Sequence, residues 1–388
     1  MTRTKPLILG ISTTRADYGH LYWPFRRLVE NGYPLRIVTT GTHLLSEHGM
    51  SYKIIEADGF EIAAKPAIFS GNESTPFDIA TAAARATGEI AKIIARETPD
   101  LVMLLGDRYE VLSSAQASLL MGVPVAHLAG GDITEGAFDD SLRHAITKLS
   151  HLHFPTNEPA RNRIVQMGED PAHVCNIGST GIEYILNTDF LSRSEIEENL
   201  EFRFRTRNLL ITYHPETLKE DTEKDFDELL EALTRSDKDT GLIFTRPNLD
   251  PAGLELSKRI ESFAKGRENV SIFANLGSRR YLSMARLVDA VVGNSSSGLY
   301  EIPTLKTATV NIGDRQKGRL RATSVIDVEP SANAIEKAIS RAMELDCSRV
   351  ENPYGTGNAS TKLVAFIDSL EDIPSLLKKK FCDILENN

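Results

Sequence analysis

The stretch of residues 101–154 constrains the fold of this chain more than any other. Two short apolar runs, 101–105 and 123–128, each end in a turn of glycine and aspartate, and a helical pattern over 111–121 lies between them. A strand, a helix and a second strand in so few residues predict a βαβ unit of a parallel sheet. Because such crossovers are right-handed, both strands end at the same edge, which is where open α/β sheets bind ligands.

Charged side chains are concentrated at this predicted edge. The carboxylates are Asp107, Asp132, Glu135, Asp139 and Asp140, and they are flanked by Arg108, His127, Arg143 and His144. Proton transfer at a carbon atom requires acids and bases of this kind. Asp107 directly follows a buried run, so partial desolvation is expected to raise its pKa. For Glu135, Asp139 and Asp140, the alternative is a solvated acidic loop that caps a helix.

The alternation of strand and helix extends along the chain in two halves. The predicted strands are 6–13, 35–40, 101–105, 123–128, 153–155 and 174–177, followed by 208–213, 241–246, 270–274, 290–293 and 307–312. A charge-dense segment, 181–206, separates the halves, and a late helical segment covers 361–385. We therefore expect an α/β protein of two Rossmann-like domains that face each other across a ligand-binding cleft. The predicted domains are 1–182 and 183–364, with a C-terminal helix, 365–388, that packs back on the first domain.

Length, charge and cysteine content exclude several classes of protein. The chain has 388 residues, which favours two domains over one. Its formal net charge of −10 argues against a nucleic-acid partner, because phosphate backbones are bound by clustered Lys and Arg. Cys175, Cys347 and Cys382 are far apart, which favours a reducing compartment without disulfides. The N-terminal pattern predicts no signal peptide, and no apolar run approaches the ~20 residues that span a bilayer. We expect a cytoplasmic protein with no membrane partner.

A run of small and polar residues, 293–301 (GNSSSGLYE), follows a predicted strand and opens a helix. Small residues let the backbone approach an anion, and the N–H groups at the start of a helix point toward it. Asn294, Ser296, Ser297 and Gly298 are therefore candidate phosphate ligands, and Glu301 is a candidate acceptor for a ribose diol. An ordinary helix cap and turn is the alternative.

Further candidates for nucleotide binding lie at the ends of other predicted strands. They are His214 and Arg246 in the second half, Arg319 in the cationic loop 313–319, and Arg15 and Asp17 after the first strand. An arginine can form two parallel hydrogen bonds with a diphosphate. The patterns GxGxxG and GxxxxGKS/T are absent, so neither a dinucleotide cofactor nor a nucleoside triphosphatase is expected. His151 and His153 have no further ligands at metal-binding spacing, so no metal is expected.

Five motifs together resemble those of the hydrolysing UDP-N-acetylglucosamine 2-epimerases of sialic-acid and related nonulosonic-acid pathways. They are LLGDRYE, HLAGGDITEGAFDDSLRHAITKLSHLHF, TYHPET, GNSSSGLYEIP and IGDRQKGR, and the resemblance extends over residues 5–375. It implies a glycosyltransferase-B type fold, no metal or nicotinamide cofactor, and a homodimer or homotetramer. It also implies that a UDP-linked 2-acetamido sugar is converted to UDP and the free 2-epimer, through elimination of UDP to a glycal and hydration. The substrate would be UDP-N-acetylglucosamine, which gives N-acetylmannosamine, or UDP-N,N′-diacetylbacillosamine, which gives the 2,4-diacetamido-6-deoxy analogue.

The resemblance also implies roles for individual residues. Asp107 matches the first catalytic carboxylate of the family and Asp139 the third. The second is a glutamate in many members and is Ala129 here, so Asp132 or Glu135 would have to supply that group. Arg143 and His144 would orient the sugar or the carboxylates. UDP would be held by Arg15, His214, Ser296, Ser297, Gly298 and Glu301, with Arg246 and Arg319 as additional contacts.

Three alternative functions remain open. A non-hydrolysing 2-epimerase would release the product still attached to UDP, although RHAITKLSHLHF and IGDRQKGR are closer to the hydrolysing branch. A glycosyltransferase of the same architecture would need an acceptor groove, which the sequence does not indicate. A catalytically inactive nucleotide-sugar sensor is favoured by Ala129 alone. Deuterium incorporation from solvent at C2 would separate an epimerase from the last two.

Overall fold

A computed structural model describes residues 5–46, 49–69, 75–133, 138–215, 222–247, 251–274 and 276–383. These residues form twelve β-strands and fourteen α-helices, and the strands make two parallel sheets of six. The chain divides into two compact units. The first unit comprises Met1–Tyr184 and Gly355–Asn388, and the second comprises Ile185–Tyr354. No helix in these described ranges has the length and apolarity to cross a membrane.

The first unit is built on a sheet with the strand order of a doubly wound fold. Its strands are β1 (Ile8–Ser12), β2 (Leu35–Thr39), β3 (Ile62–Ala64), β4 (Leu101–Leu105), β5 (Val125–Leu128) and β6 (Leu152–Phe154). They lie in the order β3-β2-β1-β4-β5-β6, so the chain reverses direction across the sheet between β1 and β4. In folds of this kind, the crevice beyond the carboxyl ends of the strands at this switch point binds the ligand.

Seven helices connect the strands of the first unit and lead out of it. They are α1 (Arg15–Glu30), α2 (Tyr52–Ala57), α3 (Pro76–Glu97), α4 (Tyr109–Leu120), α5 (Phe138–Leu149), α6 (Glu158–Gln166) and α7 (Thr180–Leu186). Local sequence sets their ends: Thr75 and Asp78 cap the start of α3 reciprocally, and Thr98 ends it in a left-handed conformation. Two clusters of buried residues cover the two faces of the sheet.

The second unit repeats the same topology. Its strands are β7 (Arg207–Thr212), β8 (Thr240–Thr245), β9 (Val270–Phe273), β10 (Ala290–Gly293), β11 (Ala308–Ile312) and β12 (Val325–Val328), in the order β12-β11-β10-β7-β8-β9. Its helices are α8 (Arg193–Asn199), α9 (Thr222–Thr234), α10 (Pro251–Ala264), α11 (Gly277–Leu287), α12 (Ser297–Tyr300) and α13 (Ala332–Glu344). The switch point lies between β7 and β10. The predicted pair of Rossmann-like α/β domains is therefore confirmed.

The chain returns to the first unit through helix α14 (Ala359–Asp368). Leu363 and Ile367 on α14 belong to the buried core of that unit, and the unit boundary lies between Tyr354 and Gly355. The return therefore begins about ten residues before the predicted position, 365. The predicted helical segment over 361–385 is helical only in part, because α14 ends at Asp368 and a separate short 3₁₀ turn begins at Pro374.

The segment after this turn lies against the far end of α5. Lys379 Nζ donates hydrogen bonds to the carbonyls of Lys148 and Ser150, at 2.9 Å and 2.7 Å. The carbonyls at the end of a helix lack partners within it, so this ammonium caps the carboxyl end of α5. The opposite end of the same helix begins in the acidic motif identified from the sequence.

Some predicted elements differ from the structure at the sheet edges. β3 and β12 were not predicted, and both are short edge strands whose residues are largely half-buried. The predicted strand 174–177 is wrong, because only an isolated bridge joins Val174 to His153. Beyond that bridge, the amides of Cys175 and Ile177 bond to the carbonyls of His153 and Pro155. The segment follows β6 without forming a ladder.

Candidate active site

The turn after β4 places Asp107 at the switch point of the first unit. Gly106 adopts φ +85°, a left-handed conformation that suits glycine. His127 Nε2 donates to the Gly106 carbonyl at 2.8 Å. Burial lowers the pKa of His127 to about 3, so the imidazole is neutral and serves as a fixed donor. The hydrogen bond from His127 on β5 therefore fixes the turn that carries Asp107.

Arg143 on α5 gathers the acidic residues around this turn. Its Nη2 donates to Asp107 Oδ2, and its Nη1 donates to Asp140 Oδ1 at 3.2 Å and to the Asp132 carbonyl at 2.8 Å. The arginine is only 6% exposed. A buried guanidinium is stable only when its charge and donors are matched, so this residue fixes the geometry of the cluster. The structure thus brings together Asp107, Asp140 and Arg143, as the sequence predicted.

Asp107 and Asp139 occupy contrasting electrostatic environments. Burial raises the pKa of Asp139, and the negative charge of Asp107 raises it further, while the charge of Arg143 opposes both effects. Asp107 instead forms an ion pair with Arg143. Asp107 is thus ion-paired with Arg143, whereas the pKa of its neighbour Asp139 is raised, and such differences in environment are how paired carboxylates take different roles.

Asp132, one candidate for the missing catalytic carboxylate, is bound to a neighbouring loop. Its Oδ1 accepts from Asn157 Nδ2 at 2.9 Å and its Oδ2 accepts from Thr156 Oγ1 at 3.2 Å. Both carboxylate oxygens therefore hold the loop between β6 and α6. Ala129, in the slot of the family glutamate, adopts φ +60° and carries no polar side chain. Glu135, the other candidate for that slot, lies outside the described residues.

His144 and the loop after β1 complete the polar surroundings. His144 Nε2 lies 3.4 Å from Asp140 Oδ2, one helical turn away on α5. Thr13 Oγ1 donates to Asp17 Oδ2 at 2.5 Å, which fixes this carboxylate at the start of α1. Arg15 is the first residue of α1 and is exposed. Asp17 and Arg15 thus lie at the carboxyl end of β1, at the predicted edge.

Glu110 is a polar residue of this crevice that the site prediction missed. It is 1% exposed, and its Oε1 accepts from Arg108 Nη2 at 2.9 Å, so it fixes the arginine that follows Asp107. The sequence contains a feature that could have identified Glu110. Glu110 stands in the first turn of α4, directly before eleven residues, 111–121, without any charge.

Asn294 ties together the two loops at the switch point of the second unit. Its Oδ1 accepts from the His214 amide at 2.7 Å, and its Nδ2 donates to the His214 carbonyl at 2.8 Å. Asn294 is fully buried, so its side chain holds His214 in place and does not face a ligand. Gly293 is required beside it, because a Cβ there would lie 1.9 Å from the Thr212 carbonyl oxygen.

The serine-rich run begins the short helix α12. Ser297 Oγ donates to Glu301 Oε2 and accepts a hydrogen bond from Tyr281 at 3.0 Å. Ser296 is the N-cap residue and makes no side-chain capping bond. Gly298 serves packing, because a Cβ there would lie 2.7 Å from Thr309 Cγ2 on β11. The predicted site residues of this loop therefore lie together, but they differ in burial. Ser296, Ser297 and Glu301 are half-buried, whereas Asn294 and Gly298 are buried and support the loop.

The two predicted arginines of the second unit are placed differently. Arg319 Nη1 donates to Gln316 Oε1 at 2.8 Å, and its guanidinium lies 5.4 Å from the centre of the Tyr300 ring on α12. Gln316 in turn donates to the Asn294 carbonyl at 2.9 Å. Arg319 thus belongs to the crevice. Arg246 forms an ion pair at 2.8 Å with Glu261 on α10.

His151 and His153 also have structural partners. His151 Nδ1 accepts from the Val125 amide at 3.1 Å, and His153 Nε2 lies 2.9 Å from Glu169 Oε2. Within the described ranges, no group of three or more His, Cys, Asp and Glu residues has the geometry of a metal site.

Two Rossmann-like units, each with polar loops at its switch point, define an α/β protein of glycosyltransferase-B type. Solved structures share this fold. The UDP-N-acetylglucosamine 2-epimerase of Neisseria meningitidis, determined with UDP-GlcNAc bound, has a TM-score of 0.77 at 17% identity and covers 94% of this chain and 100% of its own. The corresponding enzyme of Methanocaldococcus jannaschii has a TM-score of 0.77 at 18% identity, with 93% and 99% covered.

The sequence profile of the UDP-N-acetylglucosamine 2-epimerase family matches residues 27–368, and the chain belongs to this family. A Campylobacter jejuni relative named GDP/UDP-N,N′-diacetylbacillosamine 2-epimerase (hydrolyzing) is 38% identical over 98% of this chain and 100% of its own. The Escherichia coli polysialic acid biosynthesis protein P7 is 34% identical, with 98% of each chain covered. A Legionella pneumophila UDP-N,N′-diacetylbacillosamine 2-epimerase (hydrolyzing) is 30% identical, with 96% and 98% covered.

Proposed function

We propose that this protein is a hydrolysing 2-epimerase, which converts a UDP-linked 2-acetamido sugar into UDP and the free 2-epimer. The observation that carries the proposal is the pair of carboxylates at the first switch point, in which Asp107 is ion-paired with Arg143 and the pKa of Asp139 is raised by burial and by the charge of Asp107. Relatives that match nearly the full length at 38% and 30% identity are named as hydrolysing 2-epimerases. Both observations support an acid–base reaction at a sugar carbon.

The proposed reaction has two steps, and each needs one of these groups. In the first step, Asp107 removes the proton from C2, the C1–O bond to UDP breaks, and a C1–C2 double bond forms in the glycal. In the second step, water adds its oxygen to C1 while a proton is delivered to C2. Inversion at C2 requires that this proton arrive from the face opposite to the one it left. Two separate proton-transfer groups are therefore needed, and Asp139 is the proposed acid.

We propose that the second unit binds the nucleotide. His214 and Ser296 offer donors at the carboxyl edge of the sheet, and Arg319 adds a positive charge beside α12. Glu301 is assigned to the ribose diol. In the first unit, Arg15 is exposed at the start of α1 and would contact the diphosphate. UDP leaves as an anion, so donors that bind it more tightly as charge develops lower the barrier to elimination.

The sugar proposed as substrate is N,N′-diacetylbacillosamine, because relatives at 38% and 30% identity are both named for it. The name of the first includes GDP as well as UDP, so both nucleotides belong in the test. UDP-N-acetylglucosamine is the competing substrate. It lacks the 4-acetamido group and retains the 6-hydroxyl, so the ratio of kcat/KM values between the two sugars identifies the substrate.

The test is incubation with each nucleotide sugar in deuterated water, followed by NMR. Free 2-epimer with deuterium at C2, together with released nucleotide, supports the proposal and identifies the sugar. An epimer still linked to UDP would assign the protein to the non-hydrolysing branch. Transfer or binding without exchange at C2 would contradict an epimerase. Asp107→Asn, prepared identically, controls for contaminating activity.

A homodimer or homotetramer and a cytoplasmic location are further proposals. The assembly rests on the family to which the chain belongs and would be measured by light scattering after size-exclusion chromatography. The location rests on the three free cysteines, which favour a reducing compartment. Cell fractionation tests it.

A further inference from the structure

Tyr281 lies beneath the serine-rich loop of the second unit, and the proposed reaction gives it no role. It projects from α11, and its hydroxyl donates to Ser297 Oγ at 3.0 Å. Ser297 Oγ donates in turn to Glu301 Oε2. We call these three side chains the tyrosine relay. Its last member is the carboxylate assigned above to the ribose.

Hydrogen-bond chemistry fixes the direction of the tyrosine relay. Burial raises the pKa of Tyr281 to about 12, and the negative charge of Glu301 acts in the same direction, so the phenol keeps its proton. A serine hydroxyl has a single proton, and here it is directed at Glu301. Ser297 must therefore accept from Tyr281. Without that donor, nothing would require the serine proton to point at the carboxylate.

The tyrosine relay lies next to the ends of two central strands of the sheet. The Tyr281 hydroxyl also lies near the side chain of Thr212, the last residue of β7. Thr212 Oγ1 lies 2.8 Å from Thr245 Oγ1 at the end of the neighbouring strand, β8. The phenol therefore lies beside the ends of two central strands. Sites supported in this way by a second layer of hydrogen bonds hold their ligand-binding groups in a defined orientation.

We propose that Tyr281 is a positioning residue for nucleotide binding, which acts through Ser297 to orient the Glu301 carboxylate toward the two ribose hydroxyls. The inference rests on the proposed function, because Glu301 is assigned to the ribose there. One oxygen of Glu301 accepts from Ser297, which leaves the other oxygen to accept from the sugar. A carboxylate held in this way favours a ribose over a 2′-deoxyribose.

The test compares the wild-type enzyme with Tyr281→Phe, which removes only the hydroxyl. The Kd for UDP, measured by isothermal titration calorimetry, is expected to rise about three- to tenfold, which is typical of one lost hydrogen bond. KM rises by a similar factor, and kcat stays within about twofold, because the ribose contact is the same in the ground and transition states. The preference for UDP over 2′-deoxy-UDP decreases. Ser297→Ala interrupts the tyrosine relay at its centre and should have the same effect.

A double-mutant cycle tests whether Tyr281 acts through Glu301. In a Glu301→Ala background, Tyr281→Phe should no longer change the Kd for UDP. Tyr33→Phe is the matched control, because its hydroxyl donates to Asp368 at 2.6 Å within the first unit, and it should leave the Kd unchanged. An equal loss in both backgrounds, or a fall in kcat at constant Kd, would overturn the inference. UDP binding is measured without turnover, so an enzyme that binds UDP but fails to epimerise would contradict the proposed function alone.

Discussion

Glu169 forms the centre of a buried ionic cluster that stabilises the end of α5. Its carboxylate is 2% exposed and contacts Lys148 Nζ at 2.5 Å, Lys379 Nζ at 2.6 Å and His153 Nε2 at 2.9 Å. Burial alone would raise the pKa of Glu169, but the hydrogen bonds from His153 and the two lysines outweigh it and lower the pKa to about 2. The cluster connects the C-terminal segment to the helix that carries Asp139 and Arg143.

Glu169→Gln should therefore destabilise the first unit strongly at neutral pH. The pKa falls from 4.5 to about 2, a difference of about 2.5 units. At about 1.4 kcal/mol per unit, the free energy of unfolding should decrease by roughly 3 kcal/mol at pH 7. Because the pKa of the folded state lies below that of the unfolded chain, this stabilisation is complete above pH 4.5 and is lost as the pH falls toward 2. At pH 3 the difference should be less than half of its value at pH 7.

Urea denaturation measures this effect with a probe confined to the first unit. Trp23 is the only tryptophan in the chain and lies on α1, so its fluorescence reports the unfolding of that unit. The midpoint should fall at an unchanged slope. Glu89→Gln is the control, because its exposed pair with Lys92 should contribute less than about 1 kcal/mol. A loss below about 1 kcal/mol for Glu169→Gln at pH 7, or an equal loss at pH 7 and pH 3, would refute the reasoning.

Three further predictions concern the reaction. Asp107→Asn and Asp139→Asn should each lower kcat at least about a hundredfold in an assay of UDP release, while the Kd for UDP stays within about twofold; a near-normal rate in either would exclude its role. Asp132→Asn should lower kcat by less than about tenfold but reduce the melting temperature, because both carboxylate oxygens hold Thr156 and Asn157; a hundredfold loss of kcat would restore Asp132 as a catalytic group. If Asp139 is the acid, a pH profile should show kcat falling as the pH rises through the raised pKa of this residue, because the acid must keep its proton; a flat alkaline limb would contradict this role.

The central strands were predictable from the sequence because parallel sheets are covered on both faces. Central strands are then nearly continuous apolar runs, as in β1, β4 and β10, and β7 has such a run over 209–211. The edge strands β3 and β12 have only three and four residues, and they are exposed in part, so their apolar runs are too short to stand out. Helix α13 had clear signals that the prediction did not use, since Ser331 caps it and Ile335 and Ile339 lie four residues apart on its buried face.

The location of the candidate site was also predictable, but the pairing of its charges was not. Strand ends identify the edge at which Asp107, Asp139 and Arg143 meet. Whether a carboxylate there is ionised depends on distances between residues that are far apart in the sequence. Arg143 reaches Asp107 from a helix 36 residues further along the chain, and its charge also acts on Asp139. The local sequence around Asp107, GDR, does not indicate that contact.

Both units show why sequence alone overstates the number of ligand-binding residues. A loop at a switch point must present polar groups to a ligand and must also be held still, and the same residue types serve both purposes. In the first unit, Asp132 is predicted as catalytic, yet its oxygens hold a neighbouring loop. In the second unit, Asn294 is predicted as a phosphate ligand, yet it bonds to the backbone of His214 on the other side of the crevice. Rigid loops let the outward-facing groups bind without a further loss of conformational entropy, so the supporting residues contribute to affinity without touching the ligand.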